Sequence, residues 1–165
     1  MPKRITAPTF CMGARALNLL GEQWTLLIVR DAFFGIRNFD DFQRSTGIAR
    51  NVLSQRLGTL VDAGVFTKRA SDEDKRKVEY RLTPMGLDLF PVIVGLSMWG
   101  KKYLSEPDEL APFGLIERQT GKPPAPVVVQ SVDGRTIDPR DLMLVPGPGI
   151  TDEVRRAIPA LREAR

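Results

Sequence analysis

Residues 39–61 constrain the fold most, because they contain two helical patterns separated by a single glycine. Phe39 and Phe42 lie three apart in the first pattern, and Gly47 then supplies the left-handed geometry that favours a helix end. A second helical period follows, and its apolar face consists of Leu53, Leu57, Leu60 and Val61. The pattern predicts two short helices joined across a tight turn.

The second of these helices is predicted to have a polar outer face without negative charge. At 100° per residue, the positions that point away from the leucines are Asn51, Gln55, Gly58 and Thr59. Arg50, Ser54 and Arg56 flank them, and residues 47–61 contain no carboxylate. Such a face suits the major groove of DNA, where Arg reads guanine and Asn or Gln reads adenine. The alternative is an ordinary surface helix of a helical hairpin.

A β-hairpin is predicted directly after this helix, because the apolar period changes to two. Residues 65–69 and 78–83 alternate, and the polar loop 70–77 separates them. In that loop, Lys75, Arg76 and Lys77 are placed to neutralise phosphates, although Asp72, Glu73 and Asp74 partly cancel their charge. The other interpretation of the loop is a solvated turn. Three helices followed by a basic hairpin predict a winged helix-turn-helix, mainly α with a small β-hairpin.

Further helices are predicted before and after this region. Residues 1–10 form an N-terminal arm, a helix begins near Cys11, and the next helix follows Gly21 and ends at Gly35. Thr83 and Pro84 are a typical helix start. We expect one long helix from this point, which Pro91 bends but does not end.

Composition excludes several classes of protein. The chain has no His and one Cys, which rules out an intrachain disulfide and Cys/His zinc sites. No nucleophile with a nearby base and no glycine-rich phosphate loop is recognisable, so we predict neither an enzyme nor a cofactor. The net charge of +4 is too mild to establish nucleic-acid binding. Without a signal peptide or a long apolar run, we expect a cytoplasmic protein with no membrane partner.

From Cys11 to Trp99 the chain resembles the HxlR-type family of bacterial transcriptional regulators, relatives of the MarR-type winged helices. The resemblance lies in CMGARALNLLGEQWTLLIVRD, in NFDDFQRSTGIARNVLSQRLGTLVDAGVFTKR and above all in VEYRLTPMG. It implies a homodimer, joined through the first helix and the long helix after the wing, that binds an inverted-repeat operator in double-stranded DNA. A repressor is the more common kind of regulator in such families.

Specific residues follow from this interpretation. The predicted DNA-contacting residues are Ala49, Arg50, Asn51, Ser54, Gln55, Arg56, Lys75, Arg76 and Lys77. Of these, residues 50, 51, 54 and 55 would read base edges, while Arg56 and the wing cations would hold phosphates. The predicted dimer interface consists of Leu17, Leu87, Phe90, Val94, Met98 and Trp99.

Cys11 has two interpretations. Several members of the family sense oxidants or electrophiles through an N-terminal cysteine, and Cys11 matches that position. A helix N-terminus and Arg15 nearby would favour the thiolate and make Cys11 a better nucleophile. Alternatively, Cys11 is a small apolar residue that fills a gap in the dimer interface. An unknown small-molecule effector is the other candidate trigger.

The chain is divided into an arm (1–10), a winged helix-turn-helix and dimerisation domain (11–104) and a small α+β extension (105–165). The extension is predicted to contain a proline-rich linker, a short helix at 110–117, a hairpin of the runs 127–129 and 142–145, and a terminal helix capped by Thr151. Longer family members have a similar piece, in some with a zinc knuckle; here Gln130 and Asp133 replace its cysteines, so no metal is expected. The extension would hold an effector, extend the dimer or only pack.

Two functions of different kinds remain open from the sequence. The first is a dimeric, sequence-specific DNA-binding transcriptional regulator. The alternative is a winged-helix protein-interaction module that docks a partner protein without sequence-specific DNA binding. A strongly acidic outer face on the second helix of the motif would have favoured the module, and residues 47–61 have no such face.

Overall fold

The computed structural model describes residues 11–72, 74–106, 109 and 114–158. The chain divides into two compact units, Met1–Pro124 and Ala125–Arg165. The predicted N-terminal arm lies outside the described residues. In the described part of the chain, no helix is both long and apolar enough to cross a membrane.

The first unit has the order of helices and strands that the sequence predicts for a winged helix-turn-helix. Its elements are α1 (Met12–Leu20), α2 (Thr25–Phe33), α3 (Phe39–Thr46), α4 (Arg50–Asp62), β1 (Phe66–Ala70), β2 (Val78–Leu82), α5 (Pro84–Leu87) and α6 (Phe90–Leu104). The predicted fold class, mainly helical with a small β-hairpin, is therefore confirmed.

The turn between α3 and α4 forms where the sequence predicts it. Gly47 has a φ of 70°, the left-handed conformation, and its N–H donates to the carbonyl of Gln43 at 2.8 Å. At the other end of α3, the side chain of Asn38 accepts a hydrogen bond from the N–H of Asp41. Both ends of this short helix are thus closed by local hydrogen bonds.

The core lies between α2, α3, α4, the base of the hairpin and α6. The buried residues that form it are Ile28, Val29, Phe42, Ile48, Leu53, Leu57, Leu60, Val65, Phe66 and Ile93. The rings of Phe42 and Phe66 meet edge to face, with centroids 6.3 Å apart. Each buried leucine contributes about 1.5–3 kcal/mol by leaving water, so the three leucines of α4 fix the rotation of that helix.

The hairpin is antiparallel and pairs Phe66 with Leu82 at its base and Ala70 with Val78 at its tip. A single bridge between Asn38 and Glu79 adds the α2–α3 connection to its edge, and the N–H of Tyr80 donates to the carbonyl of Arg37 at 2.7 Å. The wing is therefore attached to the segment that leads into α3.

The junction after the wing differs from the prediction of one bent helix. Thr83 caps α5, as predicted, but α5 ends at Leu87 and α6 begins at Phe90. Pro91 lies in the first turn of α6, where its missing N–H has no helical acceptor to lose. The prediction that Pro91 bends a continuous helix was wrong, because the chain ends one helix and starts another there.

The corner at α5 is tightly packed. The hydroxyl of Thr83 donates to the carbonyl of Gly64 at 2.6 Å and accepts from the N–H of Gly86. Gly86 is buried, and a Cβ at this position would collide with the carbonyl oxygen of Val65 and the side chain of Leu82. Only glycine fits where α5 lies against the base of the wing.

The second unit contains a 3-10 turn (Pro139–Asp141) and a short helix, α7 (Asp152–Ala157), which Thr151 caps as predicted. The apolar runs 127–129 and 142–145 do not pair as strands; a single bridge between Gln130 and Thr136 closes the turn at Gly134. Of the helix predicted at 110–117, residues 110–113 lie outside the described residues and 114–117 are irregular. The hydrophobic runs are exposed, and exposed runs of this length have no core to order them as strands.

Candidate nucleic-acid interface

The outer face of α4 is polar and open to solvent. Leu53, Leu57 and Leu60 have no exposed surface and point into the core. The N-cap and the outward positions of the helix are exposed, namely Ala49, Asn51, Ser54, Gln55, Gly58 and Thr59. Nothing lies within 4 Å of a Cβ built on Gly58, so a bulky partner can approach the middle of this face closely. The side chains available there are amides and hydroxyls, the groups that read base edges.

Arg50 is the first residue of α4 and is held by α3. Its Nη1 donates to Asp40 Oδ1 and to Gln43 Oε1, each at 2.8 Å. Its guanidinium carbon lies 4.7 Å from the centroid of the Phe39 ring. The sequence pattern predicts a DNA contact for Arg50 but none of these three partners. The local periodicity of α3 does not indicate which residue of the next helix its side chains contact.

Arg56 lies in a different environment from the other predicted contacts. Its Nη2 donates to Glu22 Oε2 at 2.7 Å, and its side chain is only 14% exposed. Its Nε is buried and has no hydrogen-bond partner in the described part of the chain. The side chain of Arg56 therefore links α4 to the α1–α2 connection. A role for it in holding a phosphate remains a prediction, and this geometry does not favour it.

The wing loop presents three exposed cations, Lys75, Arg76 and Lys77. Asp74 reduces the net charge there. The backbone N–H of Arg76 and then its guanidinium donate to Asp74, and both hold the pKa of that carboxyl below its usual value. Asp74 is ionised at neutral pH. Together with Asp72 and Glu73 it offsets the three cations, so the formal net charge of the loop 70–77 is zero.

The stem of the wing is cross-linked by polar groups. The hydroxyl of Ser71 donates to Glu79 at 2.8 Å, and Arg81 pairs with the same carboxylate at 2.8 Å. These two donors, Ser71 first, lower the pKa of Glu79. Asp72 pairs with Arg69 at 2.8 Å and with Arg81 at 3.4 Å. The network ties both strands together below the loop that bears the cations.

The residues predicted for a dimer interface divide into two groups. Leu17, Leu87, Phe90 and Trp99 are about half exposed, and Met98 is partly buried. Val94 differs, because its side chain is 3% exposed and packs within its own chain. The sequence pattern placed Val94 on the same stripe as Phe90, but α6 turns it inward.

Cys11 is the N-cap of α1, and its exposed Sγ accepts a hydrogen bond from the N–H of Ala14 at 3.4 Å. Among the described residues, no group of three or more His, Cys, Asp or Glu side chains is arranged to hold a metal ion.

The chain is similar in sequence and in structure to known transcriptional regulators. The sequence model of the HxlR-like helix-turn-helix family matches residues 19–108. The HTH-type transcriptional regulator Rv3095 of Mycobacterium tuberculosis is 44% identical over 135 residues, which are 82% of this chain and 85% of that protein. The crystal structure of PA1607, a proposed transcription factor, matches with a TM-score of 0.78 and 39% identity over 82% of this chain and 94% of that one. PA1374 of Pseudomonas aeruginosa, another proposed transcription factor, matches with a TM-score of 0.58 and 33% identity over 87% and 97% of the two chains.

Proposed function

The chain belongs to the HxlR-like helix-turn-helix family of transcriptional regulators, and from that premise we propose that it is a homodimer that represses transcription by binding an inverted-repeat operator in double-stranded DNA. In this proposal α4 enters the major groove and the wing lies beside it. The protein acts as a regulator that binds DNA, and no catalytic step is part of its function.

The observation that carries the proposal is the outer face of α4. Its exposed side chains belong to Asn51, Ser54 and Gln55, while Leu53 and Leu57 on the opposite face anchor the helix in the core. An amide reads adenine through a bidentate contact, so replacement of Gln55 by Ala should relax base choice at one position by about 1–3 kcal/mol. Arg50 contributes a donor fork at the N-terminal end of the same face.

The wing supplies the contacts that do not depend on sequence. Lys75 and Lys77 are exposed and have the reach to meet phosphates beside the groove. Each phosphate contact releases counterions, so Lys75→Ala should weaken binding to every duplex and flatten the slope of log K against log salt by roughly 0.9. Asp74 limits the total attraction, which favours discrimination over tight non-specific binding.

Homodimerisation is supported by the apolar side chains that remain exposed on α1, α5 and α6. Leu17, Leu87, Phe90 and Trp99 are each 49–54% exposed. Exposed apolar side chains of this size are typical of an interaction site, and a twofold-symmetric dimer matches an inverted-repeat operator. Analytical ultracentrifugation tests this part: Trp99→Asp should shift the protein towards the monomer, whereas Thr59→Asp, on the exposed face of α4, should not.

The trigger that releases DNA is an oxidant or electrophile at Cys11, or a small-molecule effector. The Cys11 thiol is exposed, so reagents reach it without unfolding. Because each chain has a single cysteine, oxidation to a disulfide requires a second chain or a low-molecular-weight thiol. Operator binding that is lost on oxidation and retained by Cys11→Ser would assign the trigger to this residue.

The decisive experiment is fluorescence-anisotropy titration of the full chain. The probes are a duplex from upstream of its own gene, duplexes selected from a random library, and an unselected duplex, each across a salt series. Preference for a selected duplex over the unselected one, reduced by Gln55→Ala, supports sequence-specific recognition. Equal losses on both duplexes would contradict the role of Gln55. If no duplex is preferred, the winged helix would be an interaction module that docks a partner protein.

A further inference from the structure

Arg50 is surrounded by three side chains of α3. The two protons of its Nη1 are directed at Asp40 Oδ1 and Gln43 Oε1, both 2.8 Å away, and its guanidinium lies over the ring of Phe39. The Arg50 side chain is nevertheless 63% exposed and that of Asp40 is 69% exposed. The cluster therefore lies on the surface, beside the first turn of the helix that carries Asn51 and Gln55.

The contacts leave one edge of the guanidinium available. With both protons of Nη1 engaged, the remaining donors are Nε and Nη2, which have no acceptor in the described part of the chain. An arginine side chain on an open surface samples many rotamers, and ordering it on binding costs free energy. Two hydrogen bonds and a ring contact fix its plane before a ligand arrives. The edge formed by Nε and Nη2 is a donor pair with the spacing that a guanine offers at O6 and N7.

We propose that Asp40, Gln43 and Phe39 are positioning residues that hold Arg50 as the reader of a guanine in the major groove. This inference rests on the proposed function, because it assigns a base to one residue of the same interface. Asp40 does not touch DNA in this arrangement; it acts through the orientation that it gives to Arg50.

The carboxylate of Asp40 favours a base over a phosphate as the target. An anion 2.8 Å from Nη1 offsets the positive charge of Arg50 and would repel a phosphate at the same place. The other acid in the first turn of α3, Asp41, is already paired with Arg44 at 2.6 Å, so Asp40 supplies this negative charge. The oxygen and nitrogen acceptors of guanine are uncharged, so they lose little from these neighbours and still receive two hydrogen bonds.

The test uses the full chain and an operator selected by the wild-type protein from a random duplex library. Single base-pair substitutions across that operator then give the base preference at each position. A salt series gives the slope of log K against log salt for the operator and for the unselected duplex. We expect Asp40→Ala to reduce the preference for guanine at one position of each half-site by about tenfold. Affinity for the unselected duplex should stay or rise, because the freed guanidinium reaches a phosphate and makes the slope about 0.9 more negative.

Matched variants separate positioning from charge. Asp62→Ala removes an exposed carboxylate at the other end of α4 and should leave the guanine preference unchanged. Gln43→Ala removes the other acceptor of Nη1 without any change of charge and should reduce the same preference. Arg50→Lys keeps the charge but not the fork, so it should lose the preference as fully as Arg50→Ala does. Thermal unfolding of each variant checks that α3 is intact.

Three results would decide against the inference. If Asp40→Ala and Gln43→Ala keep the wild-type base preference at every position, α3 does not position the reader. If Arg50→Ala flattens the salt slope by about 0.9 on all duplexes equally, Arg50 holds a phosphate instead. Both results would leave sequence-specific binding in place. If the wild-type protein selects no duplex at all, the proposed function itself is wrong, and the two failures are thus distinguished.

Discussion

The two units of this chain are ordered by different interactions. In the first, Leu53, Leu57 and Phe66 are removed from water. In the second, none of the residues described between 125 and 158 is buried, and its turns are closed by polar pairs such as Asp133 with Arg135 and Asp138 with Arg140. Apolar burial is cooperative and strong, whereas exposed ion pairs are screened by water. The stability of the described fold therefore lies in the first unit.

The largest effect is expected at the centre of the first unit. Leu57→Ala removes a fully buried side chain and should lower the free energy of unfolding by about 2–5 kcal/mol. The slope of that free energy against urea concentration should stay unchanged. Thr59→Ala, on the exposed face of the same helix, should change it by less than about 0.5 kcal/mol. Chemical denaturation followed by circular dichroism measures both. Similar losses for the two variants would mean that α4 does not anchor through its leucines.

An intermediate effect is expected where charge is partly buried in the first unit. Glu22→Gln leaves the guanidinium of Arg56, which is 14% exposed, without its carboxylate and should cost about 1–2 kcal/mol. Adding Arg56→Met to Glu22→Gln should recover most of that loss, because the unpaired charge is then gone. Asp62→Asn, an exposed acid of α4, is the control. If the double variant is no more stable than Glu22→Gln, the pair does not tie α4 to the α1–α2 connection.

The buried leucines of α4 and the ion pair of Glu22 with Arg56 also show what sequence alone could and could not predict. The leucine spacing and Gly47 are local signals, since a helical period and a left-handed turn are written in neighbouring residues, and both were confirmed. The pair of Glu22 with Arg56 joins residues 34 apart, and the contact of Asp40 with Arg50 spans a turn. Which partner a long charged side chain selects depends on how helices pack, and periodicity does not contain that information.

The two features that were predicted wrongly, the helix at Pro91 and the hairpin of the second unit, also depend on packing and not on local sequence. The break before Pro91 arises because α5 is fixed against the base of the wing, so a new helix begins where a bend was expected. In the second unit, two short apolar runs on either side of a turn predicted a hairpin, which depends on the β-propensity of those runs. Such propensity reflects packing on a half-buried sheet, and residues 127–129 and 142–145 are exposed.

The same substitution, Val to Ala, should cost stability in the first unit and have only a small effect in the second. Val65→Ala removes a side chain that is 1% exposed and should cost about 2 kcal/mol. Val128→Ala, in the second unit, removes one that is 47% exposed and should cost less than about 0.5 kcal/mol. Urea titrations of both variants give the comparison. A loss above about 1 kcal/mol for Val128→Ala would show that the second unit buries its valines in solution.

The smallest effect is expected at acid pH and is confined to the second unit. The guanidinium and then the backbone N–H of Arg140 donate to Asp138 and lower the pKa of that carboxyl from 3.8 to about 2. A lowered pKa in the folded chain means that the pair favours the ordered turn above about pH 4 and ceases to do so as the pH falls towards 2. The carboxyl carbon shift of Asp138, followed by NMR, should titrate near 2.

Arg140→Gln is the matched variant for this titration. Without the guanidinium, the midpoint for Asp138 should move back towards 3.8, while signals of the buried core residues of the first unit stay unchanged over the same range. A midpoint already near 3.8 in the unaltered chain would mean that the 3-10 turn at 139–141 does not hold the pair in solution.

The packing of Gly86 and Thr83 against the base of the wing has a geometric consequence. Because a Cβ at Gly86 has no room and the Thr83 hydroxyl donates to the carbonyl of Gly64, this corner resists bending. In a dimer built through α6, the two copies of α4 would then be separated by a fixed distance and a fixed helical phase. Such a protein would accept one number of base pairs between operator half-sites and reject an operator with a single base pair inserted.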